Sequence, residues 1–239
     1  MAKVYAWPPV YAFGPEWTID APINSSAAWP SGARYASSAG PARRLASLSV
    51  SALACGRHGA GYMEALKRYL DGGQHYVRLV SRRINRGPAY PDALRQSGVL
   101  TYSGAPGTWV GPWYTGTVLT ATRQSPAFTL QVEGLPPSTT VAWPGEFVTV
   151  YRASDQAEST VMVSRPAQSN GSGVANIRTV TEASWSGRIN IGTSETAVFA
   201  AMGIPRAARP LSGDWFYDWS FREVFASELS GGFEEIDPW

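Results

Sequence analysis

Residues 43–83 read RRLASLSVSALACGRHGAGYMEALKRYLDGGQHYVRLVSRR, and the fold is decided here. From Arg43 to Leu53, the apolar Leu45, Leu48, Val50 and Leu53 alternate with Ser and Ala, which predicts a strand with one register irregularity. Gly56, Gly59 and Gly61 break it. The segment Tyr62 to Asp71 then places Tyr62, Leu66, Tyr69 and Leu70 at i, i+4, i+7 and i+8 and turns Glu64, Lys67, Arg68 and Asp71 away, so it predicts an amphipathic helix. Gly72 and Gly73 stop that helix, and His75 to Ser81 alternates as a second strand. The stretch is a strand, helix, strand unit and holds the one helix that the sequence marks clearly.

Downstream the pattern changes to short strands spaced by turns. These are expected at Thr117 to Thr122, Ala127 to Val132, Glu146 to Arg152, Thr160 to Ser164, Val174 to Val180, Arg188 to Ile191, Ala197 to Ala200 and Phe216 to Phe225. Such spacing signals a β sandwich or barrel. In the last strand Tyr217, Trp219, Phe221 and Phe225 share one face, so that face should be buried. NGSG at 170–173 is a turn, and the closing GGFEEIDPW reads as a loose tail.

Composition agrees with a mainly β chain. Among 239 residues there are 24 Gly and 18 Pro, which argues against a helical bundle, while 44% hydrophobic and 16% charged residues exclude disorder. The expected fold class is therefore mainly β with one short helix (α+β). A β-rich N-terminal domain is expected over 1–103, a joint over 104–116, and a β sandwich or barrel over 117–239 whose last strand can pack back on the first domain. Charge supports the division: through residue 98 twelve Lys and Arg face five Asp and Glu, giving +7, and the remainder carries eight against thirteen, giving −5. Domains of opposite sign would steer assembly by attraction.

The chemistry-bearing residues are few. Cys55 is the single cysteine and His58 and His75 the only histidines, so neither a disulfide framework nor a four-ligand zinc site is expected. Gly56, Gly59 and Gly61 lack the spacing of a dinucleotide fingerprint, and no P-loop Lys-Ser/Thr follows them. A Cys55–His58 pair would span a bend without a third, orienting group. Asp214 with Asp218, or Glu234 with Glu235, is the nearest approach to a glycosidase pair, but solvated surface groups explain them better. The expectation is a non-enzyme without cofactor or metal. Trp109, Trp113 and Tyr114, in the Gly/Pro-rich joint, are candidate contacts for a partner or a glycan, or cover a domain seam. Arg82, Arg83 and Arg86 could touch phosphate, but without interleaved aromatic groups they predict no sequence-specific nucleic-acid recognition. The start lacks a basic then apolar export pattern, and the apolar run Leu45 to Gly56 falls short of the ~20 residues of a membrane helix, so a soluble chain without membrane insertion is expected.

Residues 43–83, the Trp7 to Pro9 WPP, LPPSTTVAWPGEFVTVY from Leu135 to Tyr151, and WSFREVF from Trp219 to Phe225 together resemble minor tail proteins, in particular the distal tail proteins of long-tailed, non-contractile phages and gene transfer agents. The resemblance implies a structural virion protein at the tail tip, made in the host cytoplasm. It implies a homohexameric ring between the tail tube protein and the tail hub protein, built by the first domain, with the second domain outside. DNA would pass through the lumen without being read. No carbohydrate-binding second domain is recognisable, and the alternative from another class is a carbohydrate-binding β module that attaches to a host glycan surface.

Overall fold

The computed structural model describes residues 2–27, 31, 33–81, 108–111, 114–124, 128–135, 137–155, 157–193, 195–206 and 214–239. It is mainly β with one substantial helix, the α+β class that the sequence predicts. The chain forms two compact units, the first from residues 1–80 and 196–239, the second from residues 81–195. The second unit is thus inserted between two parts of the first. This corrects the contiguous division: the domain expected over 117–239 gives its last 44 residues, 196–239, to the first unit.

The first unit begins with β1 (Ala2–Ala6), β2 (Phe13–Asp20), the hairpin β3 (Ile23–Ala27) and β4 (Arg34–Ser38), then β5 (Arg43–Ser51), the helix Gly59–Tyr69 and β6 (Tyr76–Ser81). After the inserted unit it resumes with β17 (Glu195–Ala201), β18 (Phe216–Glu223) and β19 (Phe233–Ile236). Seven of these strands make one sheet in the order β19-β1-β6-β17-β18-β5-β2. β1 lies parallel to both β6 and β19, whereas β17, β18, β5 and β2 pair antiparallel. The quoted strand, helix, strand unit is present, with the helix starting three residues earlier than its apolar pattern indicates.

Met63, Leu66 and Leu70 are fully buried, while Tyr69 is 36% exposed and Tyr62 half-buried. The core face of the helix is therefore rotated from the expected Tyr62, Leu66, Tyr69, Leu70 stripe toward Met63. The reason lies at its start. A Cβ at Gly59 would meet the Ser51 carbonyl oxygen at 2.2 Å, so only glycine lets the helix begin hard against the end of β5. Met63 then sits one turn on and receives the Trp219 indole N–H at its Sδ, 3.2 Å away.

β18 alternates as predicted for Tyr217, Trp219 and Phe221, but the fourth buried position is Glu223, not Phe225. The Glu223 carboxylate accepts the Arg44 backbone N–H at 2.8 Å and pairs with the Arg44 guanidinium. A buried carboxylate so partnered escapes the penalty of an isolated charge. Phe225 instead lies under Arg43, whose guanidinium carbon is 4.9 Å from the ring centre. The closing residues are not loose: β19 pairs with β1 from Ala2↔Phe233 to Tyr5↔Ile236, and the Trp239 indole donates to the Ala6 carbonyl at 2.8 Å.

The second unit contains β7 (Thr108–Gly111), β8 (Tyr114–Val118), β9 (Thr120–Gln124), β10 (Thr129–Glu133), β11 (Thr140–Ala142), β12 (Phe147–Tyr151), β13 (Glu158–Met162), β14 (Ala167–Gln168), β15 (Ala175–Arg178) and β16 (Gly187–Thr193). Part of the expected joint is thus a strand pair, β7 with β8, inside this unit. Six strands form a sheet in the order β13-β12-β16-β9-β10-β15, antiparallel throughout. Its two outer strands meet where Val163 bridges Thr179, with Ser164 N–H donating to Arg178 and Val180 N–H to Met162, each at 2.8 Å. The sheet closes on itself as a barrel. Leu119, Leu130, Val132, Val148, Val150 and Ile189 fill its interior. Every residue of β12 is buried, and Thr149 joins the hydroxyls of Thr160 and Thr193 at 2.9 and 2.8 Å.

Candidate functional site

Among the described residues, the candidate catalytic side chains make no hydrogen bond with one another. Cys55 and His58 stand in the turn before the helix, where Cys55, Gly56 and Arg57 take φ of 52°, 65° and 79° in succession. Two non-glycine residues in the left-handed region make this a strained turn. Cys55 is exposed, and the contact from His58 is its backbone N–H to the Cys55 carbonyl at 3.3 Å. His75 follows the helix, whose 11 residues span roughly 16 Å, so the two histidines stand at opposite ends. The His75 ring packs edge-on against Tyr5, centroids 5.9 Å apart.

Of the four candidate carboxylates, Glu234 is exposed and has no partner among the described residues, while the other three are committed. Asp214 accepts from the Ser51 hydroxyl and, at 2.8 Å, from the Trp215 N–H, while Asp218 accepts from Ser49 on the neighbouring strand. Glu235 pairs with Arg78. Burial and the adjacent Glu64 carboxylate push the Tyr217 hydroxyl up to about 12, which keeps it a neutral donor within the core. The described residues include no group of three or more His, Cys, Asp or Glu able to hold a metal ion. No helix among them is long and apolar enough to cross a membrane.

Trp109 and Tyr114 have their backbones in β7 and β8, and Trp113 lies outside the described residues. Arg82, Arg83 and Arg86 lie outside them too.

Two surfaces stand out that sequence reasoning missed. The first is on the first unit. β2 is an eight-residue strand at the sheet edge, exposed along nearly its whole length, and the β3–β4 hairpin that follows is exposed at every described strand position. Tyr11, Phe13, Ile19, Ile23 and Tyr35 are each 56 to 68% exposed. The pairing Ile23↔Ser38 and Ser26↔Tyr35 turns Ile23 and Tyr35 to opposite faces, so neither face of the hairpin is covered. INSSA and RYASS lack the apolar alternation that would have revealed these strands.

The second surface is a cleft of about 590 Å³ on the barrel, lined by Gln131, Arg165, Gln168, Asn170 and Asn176 with Pro166, Ala167 and Val174. Gln131 and Asn176 face one another across β10 and β15, and Gln131 accepts the Gln124 amide N–H at 2.7 Å. Asn170 opens the NGSG turn read from the sequence; its side-chain oxygen accepts from the N–H groups of Ser172 and Val174, both at 2.9 Å. Gly173 fixes that turn: its φ is +73°, and a Cβ there would meet the Leu135 carbonyl oxygen at 2.2 Å.

A scan against family models finds no match to this chain, and a search of the curated proteins finds none.

Proposed function

We propose that this chain is a structural, ring-forming tail protein: a distal tail ring that joins the tail tube to the hub and lets DNA through its lumen unread. The observation that carries the reading is the uncovered β2 edge with its free-standing β3–β4 hairpin. A two-stranded hairpin is marginal by itself in water, and a long edge strand offers unpaired N–H and C=O groups to another chain. Pro15, a register shift between Phe13 and Glu16, and the charges of Glu16 and Asp20 interrupt part of this edge, yet Phe13, Ile19, Ile23 and Tyr35 stay exposed on or beside it. A closed ring of identical subunits needs such a surface on each copy, matched to a different surface on the next. The two histidines at opposite ends of the helix and the commitment of Asp214, Asp218 and Glu235 to other partners favour scaffolding over catalysis, and the sequence resemblance supplies the tail context.

The test is to tag the chain in its native genome, purify the particles and image them. Labels confined to a single ring at the distal end of the tail are expected. The double variant Ile23→Asp with Tyr35→Asp, both at exposed positions, should leave the purified chain folded and strip it from the particle. Particles that lack the chain altogether, or that retain this variant at the wild-type level, would overturn the reading.

A further inference from the structure

We propose that the cleft on the barrel binds an acidic saccharide, with Arg165 holding its carboxylate and the surrounding amides holding its hydroxyls. The chemistry of the lining selects this class. The Arg165 guanidinium makes no hydrogen bond or ion pair among the described residues. Arg178, two residues beyond Asn176 on the same outward face of β15, is equally uncommitted. Glu133 accepts the Gln131 amide N–H at 3.4 Å, and the described lining of the cleft itself holds Arg165 and no carboxylate. A planar guanidinium binds a carboxylate through paired, charge-assisted hydrogen bonds.

The amides exclude a simple inorganic anion as the best fit. With its oxygen satisfied twice within the turn, Asn170 presents only N–H donors. The amides of Gln168 and Asn176 are uncommitted and offer both a donor and an acceptor. A hydroxyl answers both demands, because it donates and accepts; sulfate or phosphate leaves the amide oxygens unpaired. The Gln124–Gln131 bond and the Gly173 turn hold Gln131 and Asn170 of the lining in place before any ligand arrives, which lowers the ordering cost of binding. The volume, about 590 Å³, falls in the usual range of small-molecule clefts, roughly 300–1,000 Å³. No aromatic ring is among the described lining residues, so no ring stacking contributes and a weak, millimolar site is expected. The inference does not rest on the ring reading, because the cleft lies within one copy of the second unit.

The experiment uses the full chain with three probes: trigalacturonate, the neutral trisaccharide maltotriose, and inorganic sulfate. Saturation-transfer NMR and titration of amide shifts are read on the wild type and on Arg165→Ala and Asn176→Ala, with Arg34→Ala on the β3–β4 hairpin of the first unit as the control. Trigalacturonate should bind, with shifts centred on residues 165–176, and Arg165→Ala should weaken it by about tenfold, the loss expected for a charged hydrogen-bonded partner. Asn176→Ala should weaken both saccharides, and Arg34→Ala neither. The proposal is overturned if no saccharide binds, if sulfate binds as well as trigalacturonate, or if Arg165→Ala leaves trigalacturonate binding unchanged in a variant whose spectrum remains that of the folded chain.

Discussion

Replacing Trp239 by Ala removes an anchor where the sequence suggests only a tail. Its indole N–H donates to the Ala6 carbonyl at 2.8 Å, and its ring lies edge-on to Tyr62 and to Tyr69, with centroids 5.5 Å away in both cases. The hydrogen bond contributes about 1 kcal/mol. Each aromatic contact adds roughly 0.5–1.5 kcal/mol, and because both share one ring they do not simply sum. A loss of about 2–3 kcal/mol is therefore expected on those principles. Trp239→Phe keeps a ring against both tyrosines and loses only the donor, so it should cost about 1 kcal/mol. Urea melts measure the totals, read on the transition that belongs to the first unit, since two units need not melt together. Hydrogen exchange of the β1 and β19 amides adds a local readout, because their ladder should open more readily without the anchor. A loss below about 0.5 kcal/mol, the size of an ordinary surface substitution, with unchanged exchange would show that the chain end frays and contributes nothing.

Leu66→Ala removes a fully buried side chain from the helix and should cost about 2–5 kcal/mol in the same melts, whereas Tyr69→Ala, 36% exposed, should cost clearly less; the reverse order would refute the observed core face. The Arg43 guanidinium, followed by the Phe225 backbone N–H, holds the Glu228 carboxyl down at about 2 from its ordinary 4.5. Stability from this depressed group is complete above pH 4.5 and lost as the pH falls toward 2, so Glu228→Gln should flatten the acid limb of a urea-midpoint profile in that window. An unchanged profile would exclude the pair as a contributor.

What was legible in the sequence was what one strand or one helix decides locally. The alternation of Tyr217, Trp219 and Phe221 placed β18, and Gly72 and Gly73 marked the end of the helix, because burial on one face and a positive φ each leave a residue-level signature. Glu223 at a buried position broke the apolar pattern, since its compensation, Arg44, lies 179 residues away in the chain. The parallel pairing of β19 with β1 was hidden for the same reason: FEEI is too polar to announce a strand, and its partner stands at the opposite end of the sequence. The barrel cleft had no local signal beyond the NGSG turn. Its lining comes from β10, β15 and the segment 165–170: β15 pairs with β10 across residues 134–174, whose sequence pattern carries no cue to the pairing, and the turn at 170–174 folds 165–170 back beside β15.

The charge argument fails for a related reason, and its failure bears on assembly. Summed by halves of the sequence, charge divides into +7 and −5. Grouped by the units that form, residues 1–80 with 196–239 hold eleven Lys and Arg against eleven Asp and Glu, and residues 81–195 hold nine against seven. The first unit is neutral and the second carries +2, so the opposition was a product of where the sequence was divided. A neutral unit offers little long-range attraction to steer a second copy, and salt beyond a Debye length of about 8–10 Å would screen what remains. If the ring forms through β2 and the β3–β4 hairpin, its subunits must be held by strand pairing and by burial of Phe13, Ile23 and Tyr35. Contacts of that kind persist at high ionic strength.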